Sequence, residues 1–311
     1  HYPSTMRNLR IATRGSHLAL TQTGQVAEMV RHVYPQIATE LVAISTRGDR
    51  LSGSLADVGG KGLFTMELED ALRAGSVDMA VHSAKDLPAA MDSDFTIAAV
   101  PVRQDARDAL ASRAGGLDEL PPGAMVGTGS PRRRAQLLAL RADLHVVPIR
   151  GNVETRLKRA VGEAADMDAV VLAMAGLNRG GLTRSYGQYL HPLEIEQVIP
   201  AAGQGLLALQ ALAERADIAR LLAAIEDVDS RLALHAERAV LRGLGAGCQS
   251  CLAIHVSRCG QEEWVGLAMV ARLDGSGMVR LSCRLDSADA VGRALLAELT
   301  NRGADKLLAE Q

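Results

Sequence analysis

Aromatic side chains are almost missing from this 311-residue chain, which has one Trp, four Tyr and two Phe. So few rings cannot line a base-stacking groove of any length. Lysine is scarce too: Lys61, Lys85, Lys158 and Lys306 stand against thirty arginines. An excess of one charge sign is also lacking. Thirty-four basic residues face 36 acidic ones, and the formal net charge is -2. A general nucleic-acid binder, with its bulk positive field, is therefore excluded. No apolar run approaches the roughly 18–20 residues that span a bilayer. Cysteine is confined to Cys248, Cys251, Cys259 and Cys283, all in the last quarter. That is too few, and too local, for a secreted disulfide framework, so a reducing cytoplasm is the expected compartment. The first residues lack a charged-then-apolar signal pattern, and residues 1–5 read as an addition ahead of a native Met6.

What is present is an ordinary globular composition, 48% apolar and 23% charged. The length fits two domains or three. The arginine excess has two readings. One is a GC-rich genome; the other is bidentate gripping of carboxylates, which lysine cannot do.

Periodicity predicts an alternation of strand and helix. Strands are expected at 9–13, 41–45, 77–81 and 95–100, with a helix carrying Val26, Met29, Val30 and Val33 on one face. Residues 50–62 are rich in Gly and Ser, have no period and read as a loop. A second α/β unit follows, with strands at 125–128, 144–149 and 169–173 and helices at 131–140 and 152–162. Both units should hold mainly parallel sheets. Residues 206–209 read as a further strand and 215–244 as largely helical. The pattern then changes: Leu252, Ile254 and Val256, and later Val279, Leu281, Cys283 and Leu285, alternate with small or polar residues. These are half-buried strands, most simply antiparallel, closed by a helix at about 288–300.

Three predicted strand ends carry arginine beside small residues. Gly127-Thr128-Gly129-Ser130-Pro131-Arg132-Arg133-Arg134 places an N-cap serine and an N1 proline at a helix start, where free N–H groups favour an anion. Arg150-Gly151-Asn152 repeats the arrangement, with Arg156 about one turn further on, and Arg14 with Ser16 makes the third. Together they point to a ligand bearing several carboxylates or phosphates. No G-x-x-x-x-G-K-[ST] occurs, and Gly127-x-Gly129 lacks the third glycine of a dinucleotide fingerprint. Asp86 follows a strand and precedes Leu87-Pro88, which should hold its backbone out of the helical region. It could stabilise a developing cation, but from spacing alone the better reading is a partner of Lys85. Cys248 sits in a glycine-rich loop and reads as a nucleophile, an attachment point or a small hydrophobe. Cys248-x-x-Cys251 lacks the second half of a zinc site. His82 reads as a structural histidine.

Taken in order, these motifs resemble the porphobilinogen deaminase (hydroxymethylbilane synthase) family. The matching stretches include Ala12-Thr13-Arg14-Gly15-Ser16, Gly60-Lys61-Gly62-Leu63-Phe64 and His82-Ser83-Ala84-Lys85-Asp86. They continue through Ser130-Pro131-Arg132-Arg133, Arg150-Gly151-Asn152, Gly203-Gln204-Gly205 and Gly247-Cys248-Gln249. The resemblance implies two α/β domains like those of type II periplasmic binding proteins around a cleft, plus a smaller C-terminal α+β domain. The implied boundaries are 7–101 with 201–222, then 102–200, then 223–311. It implies a transferase that joins four porphobilinogen units head to tail, releases four ammonia and yields hydroxymethylbilane. A dipyrromethane cofactor is implied on Cys248 through a thioether, held by Ser83, Lys85, Asp86, Thr128, Ser130, Arg132, Arg133 and Gly151. Arg14, Ser16, Phe64, Arg150, Arg156 and Gln204 are implied to meet the substrate, and Asp86 to be catalytic. The loop at 50–61 is implied to be a lid. No metal, nucleic acid or membrane is implied, and the chain should be a cytoplasmic monomer.

The chain departs from the pattern of the family it resembles at three places. Gly129 stands where serine is common, Cys251-Leu252-Ala253 replaces Pro-Ile-Gly, and Gln210 stands where an acid is usual. If the altered loop disables Cys248, the chain would be a degenerate paralogue. A non-catalytic polycarboxylate binder on the same scaffold is the other alternative. Oxidation pairing Cys248 with Cys251 in the cofactor-free protein is a further expectation.

Overall fold

The computed structural model describes residues 8–50, 65–247 and 250–311. Thirteen strands are formed among them. The first four are β1 (Asn8–Arg14), β2 (Ala38–Ile44), β3 (Met79–Ser83) and β4 (Phe95–Ala99). Then come β5 (Asp108–Ser112), β6 (Met125–Gly127), β7 (His145–Val147), β8 (Ala169–Ala173) and β9 (Leu190–Leu193). The last are β10 (Leu207–Leu212), β11 (Leu252–Arg258), β12 (Trp264–Val270) and β13 (Val279–Leu285). They make two five-stranded sheets, ordered β2-β1-β3-β10-β4 and β7-β6-β8-β5-β9, and a third sheet, β11-β12-β13.

The first two sheets share one plan. Three parallel strands stand side by side, then an antiparallel strand, then an edge strand antiparallel to that one. The sheets are mainly parallel, as expected, but mixed: four strands of each run one way, and β10 and β5 run against them. The third sheet is antiparallel, as the alternation required. The chain divides into two compact units, residues up to 103 with 206–231, and 104–205 with 232 to the end.

In the first unit, the helix His17–Val33 buries Val26, Ala27 and Val30 with Leu9, Ile11, Met79 and Val81 of the sheet. In the second unit, alternate residues of β8 face opposite ways. Val170 and Leu172 pack with Leu157 of the helix Val153–Val161. Ala169 and Val171 pack with Leu137 of the helix Pro131–Leu140. The two helices that follow arginine-bearing strand ends therefore lie on opposite faces of one sheet.

The third sheet is covered by the helix Ala288–Asn301 through Val291, Leu295 and Leu299. It also packs against the helix Pro131–Leu140 and the segment after β9. Cys251, Ala253, Met269 and Ala271 pack with Ala135 and Ile199. Buried Glu237 accepts from Gly203 N–H at 2.6 Å and from Val256 N–H at 2.9 Å, tying the turn at 201–205 to β11. No helix among the described residues is long and apolar enough to cross a membrane.

Candidate functional site

The second unit builds its cluster from two strand-to-helix turns. After β6, Ser130 N–H donates to Thr128 Oγ1 at 3.2 Å, and Ser130 Oγ accepts from Arg133 N–H at 3.3 Å. This is the N-cap that the Ser-Pro pair predicted, and it directs the next two side chains inward. Arg132 Nη1 donates to Asp108 Oδ2 and to Ile199 O, both at 2.8 Å. Arg133 Nη2 donates to Asp108 Oδ1 at 2.7 Å and its Nη1 to Val171 O at 3.1 Å. Gln204 Nε2 reaches the same carboxylate at 2.9 Å and also Ala106 O at 2.8 Å. One buried aspartate thus holds two arginines and a glutamine that the sequence had assigned to ligand binding. Asp108 itself was not singled out.

Burial pushes the Asp108 carboxyl up, but the charges of Arg132 and Arg133 outweigh it, so its pKa lies well below the usual carboxylate range. Burial lowers Arg132 despite the attraction of Asp108. Arg133 Nε is buried without a hydrogen-bond partner among the described residues.

After β7, Asn152 Oδ1 accepts from Thr155 N–H at 2.8 Å and caps the second helix. Gly151 has φ 109°, and a Cβ there would meet Thr155 Cγ2 at 3.0 Å, so the turn requires glycine. Arg150 lies exposed at this turn. Arg156 occupies the first helical turn, its backbone N–H bonded to Asn152 O. Its Nε is buried with no hydrogen-bond partner among the described residues, and no acid there pairs with it. Burial and the neighbouring charge of Arg133 lower its pKa to about 10. The glycine at 129 also has a local meaning, because a serine Cβ would sit 3.2 Å from Ile149 O.

The first unit holds the other predicted residues. Ser16 Oγ accepts from Ala19 N–H at 3.3 Å, capping the helix that follows Arg14. At the end of β3, Ser83 Oγ donates to Gln22 Oε1 at 3.3 Å. Lys85 is half-buried and Asp86 exposed. One expectation is corrected here. Ala84–Asp86 form a single 3-10 turn, and it is Leu87, the residue before Pro88, that is extended at φ -72° and ψ 137°. The proline restricts only its immediate predecessor.

Gln210, the departure without an assigned consequence, proves to be a bridge. Its Oε1 lies 2.8 Å from His82 Nε2, and its Nε2 donates to Glu69 Oε1 at 2.9 Å. Burial lowers His82 to about 4, with the charge of Arg14 adding to the effect. Burial raises Glu69. An acid at position 210 would face Glu69 with like charge; the amide can donate to it instead.

Phe64, Cys248 and the loop at 51–61 lie outside the described residues. Cys251 is buried, its Sγ 3.5 Å from Pro131 O, and burial pushes the thiol up to about 11. It joins the strand after the Cys248 loop to the start of the arginine-bearing helix.

Residues 9–220 match the family described as "Porphobilinogen deaminase, dipyromethane cofactor binding domain". Relatives of the same description span nearly the whole chain. The porphobilinogen deaminase of Micrococcus luteus is 48% identical, covering 94% of this chain and 87% of the relative. That of Syntrophotalea carbinolica is 43% identical, covering 97% and 95%. Bordetella parapertussis has one 43% identical, covering 99% and 97%. Among solved structures, the periplasmic aliphatic sulphonate binding protein SsuA of Escherichia coli aligns with TM-score 0.40 at 15% identity, over 76% of this chain and 70% of that one.

Proposed function

We infer how the site divides its work from one premise: the chain belongs to the porphobilinogen deaminase family. Its activity is that of a hydroxymethylbilane synthase in tetrapyrrole biosynthesis, acting on porphobilinogen with a dipyrromethane cofactor. Each pyrrole of that cofactor and of the growing chain carries an acetate and a propionate.

The cluster in the second unit fits such a polyanion. Two arginines share one aspartate, and Arg156 has no acid, so buried positive charge is in excess among the described residues. That imbalance is the observation that carries the reading. In a protein interior an unpaired guanidinium is unfavourable until an anion meets it. Arg132, Arg133, Thr128, Ser130 and Gly151 would hold the cofactor carboxylates, with Ser83 and Lys85. Arg14, Ser16, Arg150 and Arg156 would take those of incoming substrate, with Gln204, and Phe64 would pack near the rings. Gln204 would act mainly through Asp108, to which it is bonded. Bound at Cys248, the dipyrromethane supplies the primer to which substrate units are added.

Asp86 is the acid we assign to catalysis. It stands exposed in the turn after β3, where a carboxylate can hydrogen-bond pyrrole N–H groups. It would also stabilise the cation left when porphobilinogen loses ammonia. His82, lowered to about 4, is neutral at working pH, so it positions the β3 end without carrying the proton. We keep the division into three domains, with residues 223–311 bearing the cofactor, and we read the protein as a cytoplasmic monomer.

The intact mass of protein made with ample porphobilinogen tests the reading. A covalent dipyrrole on the chain is expected, and an unmodified mass would refute an active deaminase. Asp86→Asn should retain the adduct and lose nearly all turnover. Parent-like product formation would remove Asp86 from the chemistry.

A further inference from the structure

We propose that Asp108 is the positioning residue of the arginine cluster: it fixes Arg132, Arg133 and Gln204 together while leaving positive charge for the cofactor carboxylates. This rests on the family reading above. Asp108 opens β5, the antiparallel strand between β8 and β9, opposite Ala173 and Leu193. Its side chain is completely buried. The backbone at this point cannot shift without breaking two ladders, so the carboxylate is a fixed point.

Its two oxygens are divided between two arginines. Arg132 takes Oδ2 and Arg133 takes Oδ1, each through one terminal nitrogen. Neither forms the two-pronged pair that a carboxylate and a single guanidinium favour. Each guanidinium is therefore oriented by the aspartate without being used up by it. Arg133 keeps its Nε without a partner among the described residues. A buried cluster serving stability alone would balance its charges, as Asp217 does for the two arginines on Asp78, since an excess buried charge is unfavourable. Two arginines on one aspartate, with Arg156 coupled to Arg133, make a charge that only a ligand completes.

Gln204 extends the control. It comes from the turn at 201–205 and donates to Asp108 Oδ1. The same turn is bonded to Glu237 on the helix Val228–Gly243, which also binds β11. Asp108 is thus one end of a hydrogen-bonded line from the arginine cluster to the sheet whose first strand follows the Cys248 loop.

The test compares Asp108→Asn with Asp78→Asn. Asp78 also holds two arginines, but in the first unit and at the opposite end of β3 from Ser83 and Lys85. Both variants should lose thermal stability. Only Asp108→Asn should lose the cofactor, with the dipyrrole mass present on fewer than about a tenth of molecules after expression with ample porphobilinogen. Asp108→Glu, which keeps the charge but moves it by one methylene, should recover part of the loading and raise KM more than it lowers kcat. It also serves if Asp108→Asn does not fold. Parent-level loading in Asp108→Asn, or parent-like loading rate and KM in Asp108→Glu, would overturn the proposal. So would equal loss of loading in Asp108→Asn and Asp78→Asn. The family reading fails separately, if the parent protein itself carries no adduct.

Discussion

In the first unit, Asp78 accepts from Arg10 at 3.0 Å and from Arg215 at 3.3 Å. In the second, Asp108 accepts from Arg132 and Arg133 at similar distances. The stoichiometry at the aspartate is the same, yet the surroundings differ. Arg10 and Arg215 keep 36% and 30% of their side-chain surface in solvent, and Arg215 has a second acid, Asp217, at 2.8 Å. Arg132 and Arg133 keep 5% and 8%, and no second acid pairs with them among the described residues. Hydrogen bonds to their acids raise the pKa of Arg10 and Arg215, whereas burial lowers that of Arg132. The first cluster is neutral and half-wet, which makes it a clasp. The second is positive and dry, which makes it a receptor. What separates them is the count of acids within reach together with water access.

The largest expected effect breaks this contrast directly. Arg156→Met should cut turnover at least a hundredfold, yet raise stability in urea by about 1 kcal/mol, because an unpaired, half-buried charge is removed. Arg10→Met should do the reverse, leaving turnover within about twofold and lowering stability by about 1 kcal/mol. Parallel product assays and urea titrations decide it; two variants that move together would erase the distinction.

A middle-sized effect concerns pH. His82 has a folded pKa of about 4 against 6.5 for a free imidazole. A lowered histidine pKa means the unfolded chain binds the proton first. Stability is therefore full above pH 6.5 and declines as pH falls toward 4, by about 3 kcal/mol in all. The lowered carboxyls of Asp78 and Asp108 add their own loss below the usual carboxylate pKa near 4. His82→Gln should flatten the slope between pH 6.5 and 4 in urea midpoints, and an unchanged slope would exclude His82 as its source. The smallest effect lies at the helix caps. Asn152→Ala and Ser287→Ala should each lose about 1 kcal/mol, but only Asn152→Ala, beside Arg156, should also raise KM.

Much of this was legible in the sequence because it is local. The Ser130-Pro131 and Asn152 caps, the strand at 169–173 and the alternation at 279–285 all formed where the residues placed them. The antiparallel strand β5 was not foreseen. Asp108-Ala-Leu-Ala-Ser is short and alanine-rich, with neither β-branched residues nor alternation, and its burial on both faces comes from neighbours far away in sequence. Missing β5 meant missing Asp108, and with it the reason that Arg132 and Arg133 turn inward. A signal did exist: a lone acid opening an apolar run must find a buried cation if the run is a strand. Gln210 shows the same limit: the pairing of β10 with β3 brings His82 to it, and Glu69 arrives from the helix Met66–Arg73.

The placement of β10 has a consequence for how the protein is made. The second sheet is complete once β9 has been synthesised, at Leu193, whereas the first must wait for Leu212. On the ribosome, four strands that precede the second sheet in sequence stay short of their fifth until that sheet's whole sequence has emerged. The later-encoded sheet is therefore the one able to close first, and a nascent chain halted between the two events would carry an open gap between β3 and β4, the place where chaperone capture or mispairing would begin.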